Sequence, residues 1–321
     1  MTNKEKYIEL CKNESLFLYN QPWWLDTVCG TKNWDVVLYT GGGEQIIGAM
    51  PYYIKSRHGL RYISQPPMTQ HNGVWLRYPQ TQKNERILAF EKEVVSDLLE
   101  QVERLSIVLI QQSLSSKQTN WLPYYWKGYR QSTNYSYVLP TGSVPYDDIQ
   151  KDFSKTIRYD AKKAKELVRV EETDDLKTFY ELNCKTYERQ GQNARVSYDY
   201  LERFDKACKE HSARKILLAR TSDEIACCAT YFVFDAEKVY YIMSGTDSQY
   251  RNLNALTLLI LEGIQFASST GRDFDFEGSM VENINDYFRK FGAVQIPYFH
   301  VSKVVTKMPV LRGYLKRKLY G

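Results

Sequence analysis

Cysteine and histidine are scarce in this chain. Its 321 residues hold six cysteines and four histidines. Cys11, Cys29, Cys184 and Cys208 stand alone, and Cys227 and Cys228 are adjacent inside an apolar run, so there is no CxxC pair. Such a set excludes a disulfide framework and describes small buried thiols in a reduced, cytoplasmic protein. His58, His71, His211 and His300 show no HxxxH spacing and no cysteine at a matching offset, so no metal site is expected. Long apolar runs are missing too. No window approaches the ~18 uninterrupted apolar residues of a membrane span. The first twenty residues, MTNKEKYIELCKNESLFLYN, have neither a continuous apolar core nor a cleavage site, and no signal peptide is expected. A net charge of +5 is far below what a domain devoted to DNA or RNA usually carries.

What the chain has is a repeat. The stretch WDVVLYTGGGEQIIGAMPYYIK at residues 34–55 and KILLARTSDEIACCATYFVF at residues 215–234 are each a strand, a polar turn and a second strand rich in small residues. The closest echo is Ile46-Ile47-Gly48-Ala49-Met50-Pro51-Tyr52-Tyr53-Ile54 against Ile225-Ala226-Cys227-Cys228-Ala229-Thr230-Tyr231-Phe232-Val233. Later, Tyr124–Tyr129 precedes a strand at residues 135–139, and Tyr287–Ala293 precedes one at 297–301. Apolar residues make up 43% of the chain, enough for two buried cores. The division is expected between residues 1–145 and 146–321, with a linker at 143–146 marked by Gly142 and Pro145.

Periodicity places the elements. A hairpin joins strands at residues 36–40 and 45–54 through Gly41-Gly42-Gly43. Ile87, Phe90, Val94, Val95, Leu98, Leu99 and Val102 recur at helical spacing over 84–104, and a buried strand follows at 107–111. In the second half, helices are expected at 152–168, 174–190 and 197–211. Strands follow at 215–220, 225–234 and 238–244, then a helix at 254–269 and a strand at 273–277. Helices around an antiparallel meander, then helix and strand, describe a mixed α/β domain.

This order resembles that of the GNAT-type N-acetyltransferases, and its doubling resembles the FemAB-like branch with two such domains in tandem. The segments that carry the resemblance are FSKTIRYDAKKAKE at 153–166, FDFEGSMVENINDYFRKFGA at 274–293, QPWWLD, and the Gly-Val-Trp-Leu strand after the Pro-Pro loop. It implies two tandem α/β domains, each with a mixed, mostly antiparallel sheet flanked by helices. It implies an N-acyltransferase acting on an amine of an amino sugar, peptide or cell-envelope precursor. An aminoacyl-tRNA-dependent ligase of peptidoglycan peptide bridges and a non-catalytic binding protein are the rival readings.

In a GNAT domain a strand splays from its neighbour, and the next helix offers its N-terminus to the pyrophosphate of acyl-CoA. The matching segment holds Ser244, Gly245, Tyr250, Asn252, Asn254 and Ala255. The family loop reads Gln/Arg-x-x-Gly-x-Gly/Ala; here Tyr250 takes the first position, Leu253 the glycine position, and Ala255 keeps the small residue. Bridge-building members carry Phe-Lys before a final Phe/Trp-Gly, where this chain has Tyr287-Phe288 with Arg289 and Lys290 beside them. Nor is there the heptad-patterned arm that some members insert.

The residues themselves suggest further roles. Lys155, Arg158, Lys162 and Lys165 share one helical face, an anion stripe in which Arg158 and Lys162 would meet the donor. Asp273, Asp275 and Glu277 alternate with Phe274 and Phe276 and so share a strand face, with Glu277 as the candidate base. Tyr287, Arg289 and Lys290 complete the candidate catalytic set. The basic, aromatic stretch at 312–320 is suited to an anionic membrane surface.

Overall fold

A computed structural model describes residues 1–189, 191–194 and 196–320, which fall into two units. One unit is Met1–Asn134 with Pro297–Gly321, and the other is Tyr135–Ile296. Gln190, the expected end of the helix at 174–190, lies outside the described residues.

The first unit begins with α1 (Asn3–Asn13), started by a capping box between Thr2 and Glu5, and α2 (Pro22–Cys29), with proline in its first turn. Strands β1 (Trp34–Thr40), β2 (Ile46–Arg57), β3 (Leu60–Ser64) and β4 (Trp75–Leu76) precede α3 (Asn84–Glu103), β5 (Leu109–Ser113) and α4 (Leu122–Trp126). β1–β2 and β2–β3 pair antiparallel, and β5 returns parallel to β3. The apolar stripe of α3 covers this sheet: Val94, Val95, Leu98, Leu99 and Val102 share a core with Val37, Met50, Ile63 and Ile110. β3 is absent from the sequence reading because Arg61 and the neighbouring glycine and histidine break its apolar pattern.

The chain enters the second unit within β6 (Arg130–Leu139). There follow α5 (Tyr146–Ile149), α6 (Lys155–Leu167), β7 (Val168–Glu172), α7 (Leu176–Glu188) and α8 (Tyr198–Glu210). Strands β8 (Arg214–Thr221), β9 (Ala226–Phe234) and β10 (Lys238–Thr246) form the meander, before α9 (Ala255–Ser269), β11 (Asp273–Asp275) and α10 (Glu282–Phe288). The strand order is β6-β11-β10-β9-β8-β7, antiparallel except that β11 runs parallel to β10. Alternation along β9 sends Phe232 into the core with α6 and α9, and Tyr231 against Phe179 of α7 and Phe204 of α8. The sheet is therefore covered on both faces.

The last strand, β12 (Val294–Val304), leads back into the first unit, where α11 (Pro309–Tyr320) follows. Apart from the two-residue β4, both halves thus show the same order: three antiparallel strands, a helix, a parallel strand, a short helix and a final strand. This is the tandem, mostly antiparallel α/β architecture expected.

The units divide the chain elsewhere than at residues 145/146. β6 closes the first series but pairs with β11, through Leu139 and Phe274. β12 closes the second series but pairs with β5, through Val301 and Gln112. Tyr137 and Leu139 accordingly belong to the second core and Val301 to the first.

Candidate functional site

β10 is paired with β9 along its length but with β11 only from Lys238 to Tyr240. β11 ends at Asp275 because Glu277 and Gly278 both take the left-handed region, at φ 62° and 60°. Gly278 allows this turn because a Cβ there would lie 2.1 Å from the Tyr135 carbonyl oxygen. The register with β9 also shifts between Tyr241 and Met243. Ile242 therefore has no in-register ladder partner on either side, and beyond Tyr240 β10 splays from β11 while staying paired with β9. Rings line the gap: Phe276 lies 4.7 Å from Phe288, and Tyr241 6.2 Å from Phe288, between centroids.

The splay opens on a cavity of about 550 Å³, lined by α6, α7, α9 and α10 and the end of β10. α9 begins at Asn254, which stands in the left-handed conformation and gives its helix no side-chain cap. Its Nδ2 instead donates to Asp160 Oδ1 at 2.9 Å. The first N–H groups of α9 and the positive end of its dipole are left without that cap, the arrangement that takes an anion. Arg189, Arg251 and Lys290 also line the cavity. Asp160 and Asp286 are its carboxylates, and Asp286 accepts from Arg289 Nε at 2.9 Å. α7 fixes the wall: Asn183 Nδ2 donates to the Ser244 carbonyl at 2.7 Å, and the Thr246 amide to Thr186 Oγ1 at 2.9 Å.

Two tyrosines bring hydroxyls to the splay. Tyr287 and Thr257 hydroxyls are 2.8 Å apart, and Tyr241 donates to Ser244 Oγ at 2.6 Å. Burial raises the pKa of each well above a free phenol, so both hold their protons. Burial also pushes the Cys228 thiol, 3.2 Å from Thr246 Oγ1, up to about 12, which makes it a poor nucleophile. Among the described residues no group of three or more His, Cys, Asp or Glu side chains could hold a metal ion.

Of the residues singled out in sequence, Ser244, Asn254, Ala255, Tyr287 and Lys290 meet around this cavity. The others lie elsewhere. Gly245 is pressed against the α7 backbone, and Tyr250 packs on the core. Asn252 turns its carbonyl to Lys163 Nζ at 2.9 Å. Arg289 is exposed beside Asp286.

Arg158 and Lys162 point outward on α6, Arg158 reaching back to the Lys151 carbonyl at 3.3 Å. The side of α6 that meets the start of α9 presents Asp160 and Lys163 instead. The three acids at residues 273–277 stay together, all acting on Lys238, and do not line the cavity. β11 is an interior strand, and Asp275 is 1% exposed, accepting from Ser136 Oγ at 2.5 Å and Lys238 Nζ at 2.8 Å. Glu277 adds its charge near Lys238 and Tyr240, residues whose alternation with Val239 and Tyr241 puts them on the face away from α9.

Sequence reasoning missed Asp160, Thr186, Arg189, Thr246, Arg251, Thr257, Asn283 and Asp286. Arg251 and Thr257 were within reach, since each lies within three residues of Asn254. Thr186 in the last turn of α7 and Arg189 just past its end offered no signal beyond an ordinary polar helix end.

Residues 151–289 match a family described as acetyltransferase (GNAT) domain. Among solved structures the chain is similar to FemX, at 14% identity and a TM-score of 0.72, covering 99% of this chain and 98% of that one. L-PGS from Bacillus licheniformis is similar at 10% identity and a TM-score of 0.55, over 98% and 96% of the two chains. A tandem GNAT protein from the clavulanic acid biosynthesis pathway reaches 9% identity and a TM-score of 0.51, over 94% and 93%. At these identities the likeness is one of fold. No curated protein matches the sequence. No helix among the described residues is long and apolar enough to cross a membrane.

Proposed function

We propose, from the premise that this is a GNAT-type acyltransferase with the FemAB-like tandem fold, that it transfers an acyl group from acyl-CoA to an amine. The acceptor amine would belong to an amino sugar, peptide or cell-envelope precursor. The observation that carries the donor assignment is the cavity at the splay. One wall is the uncapped start of α9 with Arg189, Arg251 and Lys290, a fit for a pyrophosphate. β10 reaches the cavity through Ser244 and Thr246, beyond the stretch where it leaves β11, and a thioester carbonyl would lie along that strand.

The amine nitrogen attacks the carbonyl carbon there. The C–N bond forms, the C–S bond breaks, the departing sulfur takes the Tyr287 proton, and the proton lost by the nitrogen returns to the Tyr287 oxygen, so that one proton passes from amine to thiol and Tyr287 ends as it began. In this reading the donor is held by the second unit, Tyr135–Ile296.

Titration with acetyl-CoA tests this. Arg251→Ala and Lys290→Ala should each weaken binding about tenfold, the loss of one charge-assisted contact. Arg158→Ala and Lys162→Ala should leave it unchanged, because both side chains face outward. The opposite pattern would move the donor to the outer face of α6. Glu277→Gln is expected to turn over within about threefold of wild type, an activation difference under about 1 kcal/mol. A loss of two or more powers of ten would restore Glu277 as the base.

An aminoacyl donor is the second reading. It is favoured by Asp160 and Asp286, carboxylates out of place around a polyanion but suited to a donor's ammonium group. Protection of aminoacyl-tRNA from hydrolysis by the protein, without affinity for CoA, would select it. CoA affinity with no transfer to any amine would select a binding protein.

A further inference from the structure

α11 is anchored by one face and bare on the other. Leu311, Leu315 and Leu319, four residues apart, pack against Val108, Leu109 and Val304 beside Leu60 and Tyr62. That contact uses up the apolar stripe that would normally account for an amphipathic helix. Yet the outward side is apolar as well. Val310 is 87% exposed, Met308 60% and Tyr314 54%.

Val310, Gly313, Tyr314 and Arg317 stand at i, i+3, i+4 and i+7, so they form one outward stripe. Residues 304–321 hold five cations, Lys307, Arg312, Lys316, Arg317 and Lys318, and no acid. All five are exposed, and none forms an ion pair among the described residues.

A solvated helix usually carries acids among its cations, and this segment has none beside an exposed Met308, Val310 and Tyr314. A nucleic-acid face would use the cations but has no use for Val310 and Met308. A surface that is anionic on its outside and apolar just beneath matches both. We propose that the outward face of α11, with Met308 before it, docks on the surface of an anionic lipid bilayer. Val310 and Tyr314 enter the headgroup layer, and Arg312, Lys316 and Arg317 meet the phosphates. The inference stands apart from the donor assignment, since α11 belongs to the first unit and lines no part of the donor cavity. It places the protein where a lipid-linked amine would be presented.

The full chain is to be sedimented with vesicles of phosphatidylcholine, and of phosphatidylcholine mixed with phosphatidylglycerol. Partition onto the mixed vesicles alone, falling as salt is raised, is expected. Arg312→Gln, Lys316→Gln and Arg317→Gln should each lower it about fivefold, and together about a hundredfold. Val310→Ser should lower it about tenfold at constant charge. Equal partition onto both vesicles, or none, would overturn the proposal. So would mixed-vesicle binding that the triple variant or Val310→Ser leaves unchanged. Wild-type binding to tRNA that the triple variant loses, with no vesicle binding, would give the face to nucleic acid instead.

Discussion

Tyr287→Phe is expected to lower kcat by about a hundred- to a thousandfold with little change in donor affinity. That is the usual worth of a positioned proton donor. The substitution is conservative for packing: the ring, 5.3 Å from Phe291 and 6.2 Å from Phe288 between centroids, loses only its hydroxyl. The hydroxyl lies 2.8 Å from Thr257, in the second residue beyond Ala255 at the start of α9, and therefore beside the expected path of the thioester.

Burial raises its pKa above the ordinary 10.0. The proton is thus held throughout the usual assay range, and Tyr287 sets no descending limb of the rate profile there. Turnover should rise with pH as the amine loses its proton, and then level. The same raised pKa contributes folding stability that is complete below the unfolded value, near 10, and is lost as pH climbs through the folded value. The measurement is thiol release from acetyl-CoA with an amino sugar as acceptor. A variant with wild-type kcat would remove Tyr287 from the chemistry and leave it a wall of the cavity.

The second large effect is on stability. Gly245→Ala should cost about 3 kcal/mol and lower Tm by roughly 6–12 °C. A Cβ at Gly245 would come within 2.3 Å of the Asn183 amide nitrogen and 2.4 Å of the Leu182 carbonyl carbon. These are backbone atoms in the middle of α7, and no rotamer change relieves the clash. α7 would have to lift from β10, and the Asn183–Ser244 and Thr186–Thr246 hydrogen bonds would stretch with it. Since both bonds hold the cavity wall, acetyl-CoA affinity should fall together with Tm. A Tm within about one degree of wild type would show that α7 is free to shift, against the close packing of such interiors. The glycine resembles a phosphate-cradling residue in sequence, but its small size is needed on the opposite side, where a helix crosses the strand.

Local order was legible without the structure. The stripe from Ile87 to Val102 placed α3, and the small-residue strands placed the paired hairpins, because helix and strand burial repeat with fixed periods. Spacing also puts Lys155, Arg158, Lys162 and Lys165 on one face of α6, and all four are exposed. What the sequence could not show was which face of α6 looks at the cavity. Asp160 and Arg158 are two residues apart, and only the position of Asn254 makes one a wall and the other a solvent group.

The acids at residues 273–277 show the same division. Alternation put them on one face, and they do gather around Lys238. Only the tertiary structure turned that face away from the cavity, burying Asp275 against Ser136 and bending the chain at Glu277 and Gly278, where the lack of a Cβ leaves room for the Tyr135 carbonyl. The exchange of β6 and β12 was equally out of reach, since strand pairing is chosen by distant partners and leaves the local apolar pattern unchanged. By itself, then, the sequence determined the elements, their order and their repetition, which follow from short-range periodicity. Only the tertiary structure decided which side chains share a cavity, because that depends on the directions in which separate elements meet.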